Sequence, residues 1–159
     1  MATRSSPIAD AMDLVLVLRR VLCVPARAVF EAWTRPEAIV RWRSPQGYTA
    51  HSCTIDAHAD GAFRFGLRSP DGAERWLQGY FLEVVDAERV VFTEAWEDAE
   101  GRPGYETLVT VTLIEQDGHT SLTLHQAVFE SVAARDTHAR EWSRCLDRLT
   151  EQVMARSPR

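Results

Sequence analysis

Glu94 sits between two aromatic residues, Phe92 and Trp96, in a Val-rich run that covers residues 89–96. Alternate side chains of a strand share a face, so these three should project together. A carboxyl group among aromatic rings loses its water, and that burial raises its pKa unless a cation or donor compensates. Such a group suits a polar anchor for a ligand, or a general acid or base. The plainer alternative is a rim carboxylate paired with Arg64 or Arg75.

Other polar residues are candidates by spacing. His138 and Trp142 lie one helical turn apart and should share a helix face. Gln78 and Tyr80 alternate with apolar neighbours in residues 74–85, and the phase Trp76, Gln78, Tyr80, Leu82, Val84 puts them on the inner side of a strand, where they can hydrogen-bond to a ligand. Against this, the two can bond to each other or to backbone. His51 and Cys53 should project together from residues 48–57. No HExxH or CxxC spacing supplies further ligands, so no metal site and no cofactor is expected. A Gly-rich phosphate loop and a GxSxG elbow are also missing. Asp117, His119 and Ser121 are too close in sequence for a triad and read as a turn.

The elements that must position these groups follow from periodicity. Residues 131–156 place His138, Trp142, Cys145, Leu146, Leu149 and Val153 on one helical face, with arginines and carboxylates opposite. Ser131 is a suitable N-cap and Pro158 follows the run. The helix would be ~40 Å long and needs a surface to lie on. Residues 14–24 favour a strand, with a short helix as the alternative. Pro25 opens a helix over 26–33, and Pro36 opens another over 36–43. Strands follow at 48–57, 62–68, 74–85, 89–96, 105–114 and 119–128. Turns at Asp60-Gly61, Pro70-Asp71-Gly72 and Asp117-Gly118 imply antiparallel neighbours. The expected fold is α+β: a curved antiparallel sheet of about seven strands, two short helices after the first strand, and one long C-terminal helix across the concave side.

The 159 residues carry a net charge of -5 without a basic cluster, which disfavours nucleic acid as a partner. No stretch approaches the ~20 apolar residues of a membrane span. Residues 1–13 lack an apolar signal core and read as a flexible tail before one domain at 14–156. Three widely spaced cysteines suit buried thiols in a reducing cytoplasm better than a disulfide framework.

An ordered set of residues resembles the helix-grip superfamily typified by the START domain and the birch-pollen allergen, and within it the bacterial relatives of the C-terminal domain of the Hsp90 ATPase activator. The set comprises Pro25 with Val29, Phe30 and Ala32-Trp33; Trp42 with Pro45; Asp56; Gly61 with Phe63 and Phe65; Asp71-Gly72; Gly79; Arg89 with Phe92-Thr93 and Trp96; Thr120 with Leu122 and Leu124; and Trp142 with Leu146-Asp147 and Leu149. The resemblance spans roughly residues 14–155. It departs from the family pattern at Trp42, which stands alone between Arg41 and Arg43, at Asp60-Gly61, and at Glu94, where an aromatic residue is common.

The resemblance implies a cavity between sheet and helix for an apolar or amphipathic small molecule. Its expected wall is Trp42, Phe65, Gln78, Tyr80, Phe92, Glu94, Trp96, His138 and Trp142. Any catalysis, cyclase- or hydrolase-like, would be acid/base work by Glu94 or His138. The alternative function is a chaperone-interaction module related to the Hsp90 ATPase activator, although the chain shows no second domain of the full activator. A homodimer through a free sheet edge is a further option.

Overall fold

The computed structural model describes residues 13–156. The residues read as a tail, apart from Asp13, and Pro158 lie outside that range. The element order is β1 (Leu16–Leu22), α1 (Ala26–Thr34), α2 (Pro36–Ile39), β2 (Thr49–Ile55), β3 (Ala62–Arg68), β4 (Glu74–Val85), β5 (Arg89–Trp96), β6 (Thr107–Gln116), β7 (His119–Ala127) and α3 (Val132–Arg156). The strands form one antiparallel sheet in the order β1-β7-β6-β5-β4-β3-β2. Consecutive hairpins therefore build six strands in a row, and β1 returns to pair with β7. Within residues 14–24 the strand alternative holds, over Leu16–Leu22, and the second short helix stops at Ile39, well short of residue 43.

The sheet is curved and α3 seats on its hollow side. Trp142, Cys145, Leu146, Leu149 and Val153 of α3 are buried, as the helical spacing requires. They meet Leu122 and Leu124 of β7, Val109, Val111 and Leu113 of β6, and Val90 and Phe92 of β5 in one apolar core. Ser131 caps α3 through a hydrogen bond from the Ala134 amide to its hydroxyl (3.1 Å). The N-terminus of α1 has no local side-chain cap. Its Ala26 amide donates instead to Glu115 Oε1 on β6, at 2.7 Å. The β6–β7 hairpin turns on Asp117 and Gly118, both with positive φ, as a two-residue Asp-Gly loop demands.

Two bulges bend the sheet and reset which side chains face inward. In β4 the register against β5 shifts between Phe81 and Glu83. Leu77, Gly79 and Phe81 point to the core, and Val84 rejoins it after the shift. A single alternating phase cannot describe such a strand. Gln78 and Tyr80 lie before the shift, alternate with Leu77 and Phe81 and face the convex side, contrary to the inward placement read from the sequence. In β2 the register shifts between Ala50 and Ser52. Cys53 packs against the core while His51 lies on the other side, edge-on to Trp76 at 5.3 Å. His51 and Cys53 therefore do not project together.

Candidate functional site

The middle of the space between sheet and helix is filled. Trp33 lies against Trp42 (4.6 Å between ring centroids) and Trp142 (5.7 Å), and Phe63, Phe65, Phe81 and Phe92 interlock beneath them. The void left among these rings is about 10 Å³, too small for more than a single water. Trp42 is wholly buried and donates its Nε1–H to the Ala32 carbonyl at 3.0 Å, so it is a structural plug rather than a pocket wall. Phe65 and Phe92 belong to this packed interior.

Open space begins at the rim, where the first turns of α3 cross the ends of β4 and β5. A pocket of about 200 Å³ is lined by Arg43, Pro45, Tyr48, Arg75, Leu77, Glu94, Trp96, Thr137, His138, Glu141 and Trp142. A second, of about 170 Å³, reaches Glu94, Trp96 and His138 from the side of Tyr105, Phe129 and Ala134. Glu94, Trp96, His138 and Trp142 from the predicted set thus meet here. Gln78 and Tyr80 do not. Gln78 donates to Glu97 at 2.8 Å on the convex face, and Tyr80 is half exposed there.

The floor of the rim pocket is a connected polar network. The Glu94 side chain is 2 % exposed and pairs with the Arg43 guanidinium, which is 13 % exposed. The second Glu94 oxygen accepts from Gln126 Nε2 at 3.1 Å, and the same amide nitrogen lies 2.7 Å from Thr107 Oγ1. Gln126 Oε1 accepts from Trp142 Nε1 at 2.7 Å. Arg43 also lies over the Trp142 ring, 3.9 Å from its centroid. One buried chain of bonds therefore links the 40–48 loop, β5, β6, β7 and α3. It satisfies a carboxylate that would otherwise be costly to bury.

The partner of Glu94 is neither Arg64 nor Arg75. Arg64 forks onto Glu97 on the convex face, at 2.6 and 2.8 Å. Arg43 reaches Glu94 because its backbone is held on both sides. Trp42 is buried beneath α1, and the Arg43 carbonyl accepts a weak bond from Cys145 Sγ (3.4 Å) while Arg148 donates to the Ser44 carbonyl. Burial lowers the Arg43 pKa from its ordinary value, yet an arginine keeps its charge at neutral pH.

His138 is half-buried on α3, 5.0 Å from the Phe129 ring. Burial, reinforced by the Arg43 charge, pulls its pKa down to about 4. At neutral pH it is an uncharged imidazole able to accept a proton or hydrogen bond. Cys53 is the opposite case: burial pushes its thiol up to about 11, far from a thiolate nucleophile. Among the described residues no group of three or more His, Cys, Asp or Glu is arranged to hold a metal, and no helix is long and apolar enough to cross a membrane.

Sequence reasoning missed Arg43, Tyr48, Thr107, Gln126 and Glu141, and it named Arg75 only as a partner for Glu94, not as part of the wall. The only signal was Gln126, a polar residue in phase with Leu122 and Leu124 on a buried strand face.

A bent antiparallel sheet closed around one long C-terminal helix, with a polar-floored pocket at its rim, defines a helix-grip protein of the START and Bet v 1-like kind. A family model described as Activator of Hsp90 ATPase homolog 1-like protein matches residues 23–153, and the chain belongs to that family. Solved structures agree. A Chromobacterium violaceum protein is 27% identical, with 88% of this chain and 96% of that one covered at a TM-score of 0.79. One from Nitrosomonas europaea is 25% identical, with 92% and 97% covered at 0.78. The AHSA1 protein of Silicibacter pomeroyi, at 21% identity, shares the fold, with 90% and 99% covered at 0.81. A comparison with curated proteins found no match.

Proposed function

We propose that this protein binds a small amphipathic molecule in the rim pocket, its apolar part against Trp96 and Tyr48 and its polar part toward Arg43 and His138. The observation that carries this reading is a buried, connected Arg43–Glu94–Gln126–Trp142 network lying directly under an open pocket of about 200 Å³. Pockets of this kind combine apolar walls with a few fixed polar groups. Membership of a fold whose members typically take hydrophobic ligands supports it. Three free cysteines suit a cytoplasmic setting.

Any acid/base step belongs to His138 rather than Glu94. Both carboxylate oxygens of Glu94 already accept bonds from Arg43 and Gln126, whereas the neutral imidazole of His138 faces both pockets. Glu94 serves to hold Arg43. Native mass spectrometry of protein purified from its host tests the binding reading. A retained small molecule that is lost in Trp142→Ala protein supports it, and wild-type protein that carries nothing and binds no member of an amphipathic library overturns it.

The family description favours a second reading, a chaperone-interaction module. Capture of the host's Hsp90-type chaperone by the purified protein, undiminished by pocket substitutions, would select it. The free edges of β1 and β2 also permit a homodimer by strand pairing, which light scattering resolves.

A further inference from the structure

Arg75 has no role in the network just described. It precedes Leu77 by two residues on β4 and shares its face, and its guanidinium carbon sits 4.0 Å from the centroid of the Trp96 ring. Across the same pocket Arg43 is stacked on Trp142 in the same manner. The two cations differ in one respect. Arg43 is neutralised by Glu94, whereas Arg75 makes no ion pair among the described residues. The other pocket carboxylate, Glu141, points its bonds elsewhere, accepting from the Gln46 amide at 3.3 Å and from Arg144 at 3.4 Å. His138 is uncharged at neutral pH. The pocket therefore holds one cation without an ion-pair partner among the described residues, exposed at its mouth with its guanidinium carbon over an indole.

We propose that the ligand is a flat apolar carboxylate, its ring or chain lying in the rim pocket beside Trp96 and its carboxylate held by Arg75. This deepens the binding reading above and rests on it. A guanidinium over a ring keeps its fork of donors free, and a planar carboxylate matches that fork with two parallel bonds. The spare donors of Arg43 can supply a further bond, since a guanidinium has five N–H groups and few of them are occupied here. A doubly charged phosphate monoester fits less well, because only one uncompensated cation faces the pocket.

The test compares two probes that differ only in the polar end, 1-naphthaleneacetate and 1-naphthaleneethanol. Affinity is measured by calorimetry at pH 7, and the site is located from the indole N–H signals of Trp96 and Trp142 in nitrogen-15 correlation spectra. The acetate should bind roughly tenfold or more tightly than the alcohol, as a charge-assisted pair implies. Arg75→Gln should weaken the acetate far more than the alcohol and so remove most of that preference, and Arg75→Lys should restore part of it. Equal affinity for the two probes, or a preference untouched by Arg75→Gln, overturns the carboxylate assignment and spares the pocket. If neither probe binds or shifts the two indole signals, the pocket reading falls, and this assignment with it.

Discussion

The indole nitrogen of Trp142 lies 2.7 Å from Gln126 Oε1, and the amide nitrogen of that same Gln126 lies 3.1 Å from Glu94 Oε2. The long helix, the last strand and the buried carboxylate are therefore joined by one side chain, with Thr107 as a fourth member. Gln126→Leu is close in size but leaves the Trp142 N–H and one Glu94 oxygen without partners. It should destabilise the fold by about 2–4 kcal/mol, read as a lower midpoint in urea unfolding. A cost below about 0.5 kcal/mol would mean that the network carries no stability.

Arg43 and Glu94 should behave as a coupled buried pair. Arg43→Met leaves a carboxylate with no counter-charge, and Glu94→Leu leaves a guanidinium in the same plight. Each should cost roughly 3–5 kcal/mol. The double substitution should recover much of that loss, because two apolar side chains can pack where neither charge remains. Unfolding of all four proteins in a double-mutant cycle measures the coupling, and simple additivity would show that the two residues are independent.

The lowered pKa of His138 gives stability a pH dependence with a definite sign. The unfolded chain takes up this proton near pH 6.5, and the folded chain only near pH 4, since burial and Arg43 oppose the charge more than Glu141 favours it. Between those values the unfolded state binds more protons, so stability falls as pH drops through the window and is level above it. The imidazole is partly exposed, and the effect should be on the order of 1–2 kcal/mol. His138→Gln should flatten the urea midpoint between pH 4.5 and 7; an unchanged slope would assign the dependence to other groups.

Gly79 is required by close approach rather than by backbone conformation. A Cβ there would stand 1.9 Å from the Thr93 carbonyl oxygen and 2.6 Å from the Phe63 ring. Phe63 is one of the rings that close the interior. Gly79→Ala should cost about 3 kcal/mol or more, since neither β5 nor the ring can retreat without breaking register or packing. Gly72→Ala is the contrasting case. Nothing lies within 4 Å of that Cβ, and only the positive φ of 89° is strained, so a cost near 1 kcal/mol is expected from thermal unfolding.

Local pattern determined much of this protein. The spacing of Trp142, Leu146, Leu149 and Val153 placed the long helix and its buried face, Ser131 marked its start, and Asp-Gly and Pro-Asp-Gly turns marked the hairpins. These features are set by neighbours a few residues apart, and an ordered string of residues sufficed to point to the fold family. Glu94 was legible too, because Val90, Phe92 and Glu94 keep a regular alternation into the core.

Tertiary structure decided the rest. Bulges in β2 and β4 reverse the alternation midway, so Cys53 packs inward while His51 does not, and Val84 packs inward in the opposite phase to Leu77 and Phe81, which leaves Gln78 and Tyr80 outside. Two-residue periodicity cannot register an inserted residue whose only cause is the partner strand. The pairing of Glu94 with Arg43 spans 51 positions and depends on Trp42 and Cys145 clamping a loop between helices. Whether aromatic residues leave a cavity or close it is likewise a matter of how rings from five elements and the 40–48 loop interlock, and here they closed the centre and left an opening at the rim, beside Arg43 and Arg75.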